Sequence, residues 1–347
     1  CSLAMSTKEE EEEREEKGKQ QSSELDDLPS SLIVILDLNQ ASWTESTAKG
    51  GPTVIEALES LLTFLRAFFM LHGGNTVTII AAHPYGSEFL YQSPALQRSK
   101  AHGHQQSGAL EMDEIDHRLH EKIVSLSKSL KSKSSQENSD SSMKCSLLSS
   151  AFALAACTVN RISSHKLLRM LPRVLVLTAS TELPSQYIPI MNCIFSMQKA
   201  NVLIDALVVS DGDCSFLQQA ADITNGVYLR PELSKVGSSP GALLSWMISV
   251  FLGDKHTRFL NADSQSRSTL LRLPQAQDVD YRSSCFKTGQ LVDVGFVCSV
   301  CLSIFAKCDF FICPTCDSKI ALDRPAGAAV NKKRKVAAGA QKGDDTK

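Results

Sequence analysis

Apolar positions along this chain follow two rhythms that alternate. LIVILDL, from Leu32, is unbroken until Asp37, as expected of a strand buried on both faces. Pro52 then opens PTVIEALESLLTFLRAFFMLHGG, whose apolar residues recur at helical spacing and whose Gly73-Gly74 supplies a stop. NTVTIIAAH predicts a second strand, in either direction relative to the first, and SEFLYQS an alternating third. After a long polar stretch the alternation resumes. It predicts helices over CSLLSSAFALAACTVNRI, QYIPIMNCIFSMQKA and CSFLQQAADITNG, and strands over RVLVLTAS, NVLIDALVVS and VYLR. A last amphipathic helix, PGALLSWMISVFLG, ends at Gly253. Strands alternating with helices of this length predict an α/β fold, a mostly parallel sheet covered by helices on both faces.

The polar stretches set the expected organisation. Residues 1–28 form an acidic, Ser-rich tail that cannot bury enough surface to fold. The α/β domain spans 29–253 and carries a partly disordered insertion at 98–142, with a polar helix over EMDEIDHRLHEKIVSLSKSL. A connector (254–279), a cysteine module (280–322) and a disordered basic tail (323–347) complete the order. The 347 residues carry a formal charge of −2, which argues against the whole molecule being a nucleic-acid polyelectrolyte binder. Asp37 and Arg66 interrupt the longest apolar runs before membrane-spanning length, so no membrane is expected as a partner. The glutamate run from Glu9 replaces the basic and apolar regions of a secretory signal.

Chemistry concentrates near the C-terminus. Six of eleven cysteines, Cys285, Cys298, Cys301, Cys308, Cys313 and Cys316, fall in one short segment. Within it, Cys298/Cys301 and Cys313/Cys316 are Cys-x-x-Cys pairs separated by eleven residues. Each pair can present two thiolates to one Zn²⁺, and two pairs close a four-coordinate structural site with no position left for substrate. A redox pair belongs instead at a strand-to-helix turn of the α/β domain, which these are not. Cys285 and Cys308 are too few to complete a second four-cysteine site, so they read as small buried side chains rather than ligands. Between Cys298 and Cys316 the sole basic residue is Lys307, against a surplus of apolar residues. That balance points to a face docked on protein, in cis or in trans, rather than on phosphate.

Other candidates carry less. Asp37 and Asn39, in DLNQA, sit where a doubly wound sheet binds ligands, but no GxGxxG or GxxxxGK[ST] accompanies them. Asp211 and Asp213 follow another strand and read as a turn. His102/His104 and His117/His120 lie in the polar insertion and read as solvated. Lys332, Lys333, Arg334 and Lys335 form a compact basic run that predicts nuclear import. The alternative is a nucleic-acid-binding zinc protein that contacts DNA directly through the module and this tail.

The opening LIVILDLNQ, together with CF at 285–286, GFVCSVCLSIF at 295–305 and CPTC at 313–316, resembles one family. It is similar to the smaller von Willebrand factor A-like subunit of the general transcription and DNA-repair factor IIH, from about Leu32 to Ile320 apart from the insertion. The resemblance implies a von Willebrand A-like (Rossmann-like) fold with a small four-cysteine zinc module. It implies a nuclear, non-catalytic scaffold of the complex core, acting in RNA polymerase II transcription initiation and nucleotide excision repair. Its implied partners are the other core subunits, above all the larger von Willebrand A-like zinc-binding subunit, with DNA met indirectly. The family's zinc ligands carry over to Cys298, Cys301, Cys313 and Cys316, and Cys285 and Cys308 also match family cysteines. Lys287 stands where relatives can show a further cysteine, which argues against a second complete site. The superfamily's Asp-x-Ser-x-Ser motif reads Asp37, Asn39, Ala41 here, so no Mg²⁺ is expected at Asp37 and Asn39.

Overall fold

The computed structural model describes residues 28–96, 108–134, 145–164, 170–237, 239, 241–253 and 279–319. The expected acidic tail, connector and basic tail, with Lys332 to Lys335, lie outside these apart from their inner edges. The chain divides into two compact units, at Ser283/Ser284.

The first unit is built on a six-stranded sheet in the order β3-β2-β1-β4-β5-β6. Its strands are β1 (Ser30–Asp37), β2 (Thr76–His83), β3 (Gly86–Gln92), β4 (Leu171–Thr178), β5 (Leu203–Val208) and β6 (Tyr228–Leu229). β1 runs parallel to both β2 and β4, with Val34 opposite Ile79 on one side and Leu175 on the other. Thus the direction that the sequence leaves open between the first two strands is parallel. Only β3, an edge strand, is antiparallel to its neighbour.

Successive side chains of a strand point to opposite faces, and β1 divides its residues accordingly. Leu32, Val34 and Leu36 enter one core, and Ile33 and Ile35 the other. The first core lies under α1 (Gln40–Ala48), α2 (Val54–Leu71), α3 (Gly108–Ser134), α7 (Leu233–Gly237) and α8 (Ala242–Trp246). The second lies under α4 (Leu148–Ser164), α5 (Tyr187–Lys199) and α6 (Ser215–Thr224). α2 begins at Val54, two residues after Pro52, because Thr53 and Glu56 cap each other reciprocally. Thr53 Oγ1 accepts from the Glu56 N–H at 3.2 Å, and Glu56 Oε2 from the Thr53 N–H at 2.8 Å.

Three elements depart from the expected pattern. α1 occupies what reads as a ligand loop; it has no apolar stripe, and its start rests on Asn39 Oδ1 accepting from the Ala41 N–H. The helix of the insertion, α3, is part of the main core. Met112, Ile115, Leu119 and Leu126 are buried against α2 and its neighbours, Arg66 pairs with Asp116 at 2.6 Å, and Lys122 Nζ donates to the Phe89 carbonyl of β3 at 2.7 Å. The last helix is α8 followed by a π-helical turn, Met247–Phe251, which delivers Met247, Val250 and Phe251 to the core. Arg173, buried in β4, closes its end by donating to the carbonyls of Phe251 at 2.8 Å and Gly253 at 3.0 Å. Among the described residues, no helix is long and apolar enough to cross a membrane.

Among the described residues, the second unit, with Ser283 just before it, holds four two-residue strands in two hairpins, β7 (Ser283–Ser284) with β8 (Leu291–Val292) and β9 (Phe296–Val297) with β10 (Ile304–Phe305). Its buried core is minute: Phe305 with the thiols of Cys285, Cys298 and Cys313. Phe286 and Phe310 meet the Phe305 ring edge-on, and Lys287 Nζ lies 5.7 Å from the Phe310 ring centre.

Candidate metal centre

The four paired cysteines converge. Among the described residues, Cys298, Cys301, Cys313 and Cys316 are the one group of three or more His, Cys, Asp or Glu side chains close enough to share an ion. All four sulfurs lie within 4.8 Å of one another, with Cys298 to Cys316 at 3.8 Å and Cys301 to Cys313 at 3.6 Å. A tetrahedron with Zn–S arms of about 2.3 Å has edges of about 3.8 Å, whereas a disulfide needs about 2.05 Å. The thiols are free, and both their spacing and their softness fit a tetrahedral Zn²⁺.

Two turns of the same construction place them. In the first, the Cys298 N–H donates to Ser303 O at 3.0 Å and the Leu302 N–H to Cys298 O at 2.9 Å. In the second, the Cys313 N–H donates to Ser318 O at 2.8 Å and the Asp317 N–H to Cys313 O at 2.9 Å. Antiparallel pairs flank both turns, Val297 with Ile304 and Ile312 with Lys319. Each turn closes on a residue in the left-handed region, Leu302 at φ 61° and Asp317 at φ 55°. For a leucine that conformation costs about 1–2 kcal/mol, a strain located at the metal turn itself.

The turns favour the thiolate at Cys298 and Cys316. The Cys301 N–H, the Ser318 hydroxyl and the Val300 N–H pull the Cys298 thiol down to about 6. Ser318 lowers Cys316, through its hydroxyl and its own N–H. Burial pushes the Cys301 thiol up to about 11.

Cys285 and Cys308 stand outside the four-thiol group. Cys285 nevertheless sits in a third turn of the same kind. Its N–H donates to Gln290 O at 2.8 Å, the Gly289 N–H donates to Cys285 O at 2.7 Å, and Gly289 takes φ 70°. Thr288 occupies the place of the second cysteine. Burial pushes the Cys285 thiol up, but the Thr288 hydroxyl and the N–H groups of Ala306, Thr288 and Lys287 bring it down to about 7. The Cys308 Sγ reaches the Phe310 carbonyl only at 3.9 Å.

At the strand ends of the first unit, Asp37 is fully buried and its carboxylate is saturated by the protein. One oxygen accepts from the Asn39 N–H at 2.9 Å and from the Ser146 hydroxyl. The other accepts from Thr178 Oγ1 at 2.9 Å and from the N–H groups of Ala179 and Ser180 at 3.2 and 2.9 Å. Ser180 Oγ in turn meets Ser42 Oγ at 3.0 Å, and the Trp43 indole donates to Asp37 O at 2.8 Å. The arrangement ties the ends of β1 and β4 to the starts of α1 and α4. Asp211 and Asp213 do not join it: the first pairs with Lys49 at 3.4 Å, the second with Arg230 at 2.6 Å.

The remaining candidates are dispersed. His117 and His120 are exposed on α3 and line a groove of about 630 Å³ with Glu121 and Lys128, while His102 and His104 lie outside the described residues. One Gly-x-Ser-x-Gly frame exists, Gly237 to Gly241, but in the sequence it lies between α7 and α8, whereas a hydrolase nucleophile sits between a strand and a helix.

An open sheet in the order 3-2-1-4-5-6 with one antiparallel edge defines a doubly wound, Rossmann-like α/β domain, and the paired thiol turns that follow it form a cluster that could hold a metal ion. The chain belongs to the Tfb4 family: the family model described as "Transcription factor Tfb4" matches residues 29–317. The resemblance carried by LIVILDLNQ and CSVCLSIF is thereby borne out. Among curated relatives, the "General transcription and DNA repair factor IIH subunit TFB4" of Kluyveromyces lactis is 34% identical over 319 residues, 86% of this chain and 88% of that protein. The subunit of the same description from Schizosaccharomyces pombe is 34% identical over 305 residues, 87% and 92% of the two chains. Among solved structures, the crystal structure of the TFIIH p34 N-terminal domain matches with a TM-score of 0.51 at 25% identity, covering 64% of this chain and 98% of that one.

Proposed function

We propose that this chain is a non-catalytic scaffold subunit of general transcription and DNA-repair factor IIH, working in the nucleus in transcription initiation and nucleotide excision repair. The observation that carries the reading is the family match over residues 29–317, which runs through both the α/β domain and the thiol turns. Relatives described as subunits of that factor align over most of their own length. The Asp37 site also supports a structural role, because its carboxylate is occupied by donors of the chain itself and offers Mg²⁺ no free oxygen cluster.

In this reading Zn²⁺ is held by Cys298, Cys301, Cys313 and Cys316, with Cys285 and Cys308 as turn and packing residues. A bound zinc supplies folding free energy rather than reactivity, since four thiolates leave no open coordination position. The module then presents apolar side chains to protein. Val294, Phe296, Val297, Val300, Phe311 and Ile312 are all exposed, Val294 to 85%. Its described residues from Ser284 carry three lysines (Lys287, Lys307, Lys319) against three aspartates (Asp293, Asp309, Asp317). A zinc-tetrathiolate centre adds two negative charges, so the module disfavours a polyanion and favours an apolar protein surface. The preferred partner is the larger von Willebrand A-like zinc-binding subunit of the same factor. Co-expression of the two is expected to yield a stoichiometric complex that survives gel filtration in 0.5 M salt. Separate elution of the two chains would overturn this partner assignment.

A further inference from the structure

The two thiol turns share more than their cysteines. Written out, they read Cys-x-x-Cys-Leu-Ser and Cys-x-x-Cys-Asp-Ser, so a serine stands two residues after each second ligand, at Ser303 and Ser318. In both turns that serine does two jobs. Its carbonyl accepts the N–H of the first cysteine, and its hydroxyl turns inward to sulfur. Ser303 Oγ lies 3.1 Å from Cys301 Sγ. Ser318 Oγ lies 2.9 Å from Cys316 Sγ and 3.5 Å from Cys298 Sγ. Three of the four sulfurs therefore have a hydroxyl within reach, and one hydroxyl spans the two turns.

Among free thiols, either atom of such a pair can donate. Once an ion binds, each ligand sulfur has lost its proton, and the hydroxyl is the sole donor left in the pair. A charge-assisted O–H···S⁻ bond is stronger than its neutral counterpart, and it acts where it matters most. Four thiolates around one divalent ion leave two negative charges in excess, inside a unit whose side chains are otherwise balanced. Partners of this kind orient the ligands and tune the ion.

We propose that Ser303 and Ser318 are positioning residues of the metal centre, donating to its thiolates and setting how tightly the ion is held. Ser318 has the larger share because it reaches a sulfur from each turn. The inference rests on the zinc reading above and adds to it two residues that coordinate nothing themselves.

The test uses the full chain, with zinc affinity measured by competition against a chelator and with Co²⁺ as a spectroscopic substitute. Ser318→Ala keeps the backbone carbonyl that frames the turn and removes only the hydroxyl. It is expected to lower zinc affinity roughly ten- to a hundredfold. It should also move the thiolate-to-cobalt charge-transfer bands to lower energy, because the sulfur lone pairs lose a stabilising donor. Ser318→Thr, which retains a hydroxyl, should restore both, and Ser303→Ala should repeat the effect more weakly. Wild-type affinity and unshifted bands in Ser318→Ala would overturn the proposal while leaving the zinc reading intact, as would a defect that Ser318→Thr does not repair. A wild-type chain that takes up neither metal would overturn both.

Discussion

Replacing Cys298 and Cys316 together by serine is expected to abolish zinc binding and unfold residues 284–319 while the α/β domain stays folded. The reason is the size of the core they close. Among the described residues of that unit, Phe305 is the one large apolar side chain fully buried, and burying a phenylalanine contributes about 1.5–3 kcal/mol. A structural zinc supplies about 10–16 kcal/mol to a small module, so the metal term decides whether the hairpins form. The two units have separate cores, which confines the damage. Metal analysis should fall from one zinc per chain to none, and protease should cut within 284–319 while sparing the sheet. A variant that keeps a full equivalent of zinc would refute the ligand assignment.

The second large effect belongs to Asp37. Its substitution by alanine strips acceptors from the N–H groups of Asn39, Ala179 and Ser180 and from two hydroxyls, all at a buried junction. A buried donor left without a partner costs about 1–3 kcal/mol. Because hydroxyls can turn to new partners and the Ser180 N–H keeps Thr178 Oγ1 at 3.0 Å, the expected loss is about 2–5 kcal/mol, set mainly by the N–H groups of Asn39 and Ala179. Urea unfolding of the α/β domain measures it. The same account expects Mg²⁺ to leave the unfolding midpoint of the wild-type chain unchanged. An Asp37→Ala chain of normal stability that loses a Mg²⁺-dependent stabilisation would place a cation where we place a brace.

The two sites differ in how openly the sequence displays them. LIVILDL and TVTIIAAH are legible because strands buried on both faces leave unbroken apolar runs, and the thiol site because ligand spacing is a local property. Their parallel direction is not legible, since the helix between them permits either, and hydrogen-bond register decides it. QASWTESTA conceals α1 because no apolar stripe marks it. The helix exists because Asn39 caps it and Trp43 reaches back to the Asp37 carbonyl. In α3 the apolar residues Met112, Ile115 and Leu119 do recur at helical spacing, but the polar density around them reads as an exposed insertion rather than a packed layer. The Asp37 brace brings together residues more than a hundred positions apart, which no local pattern reveals. Ser303 and Ser318 were open to a repeat search, as the shared Cys-x-x-Cys-x-Ser. The Cys285 turn was not, because Thr288 replaces the cysteine that would have marked it.

In this account one unit is braced by the buried hydrogen bonds around Asp37, and the other is closed by a metal held on four thiolates. Its central claim is membership of a nuclear assembly through protein contacts. The most direct test is purification of the tagged full chain from nuclear extract, with its stoichiometric partners identified and its zinc counted. The account predicts recovery with the other subunits of transcription and repair factor IIH and one zinc per chain. Recovery of the chain alone, or with a different assembly, would contradict it.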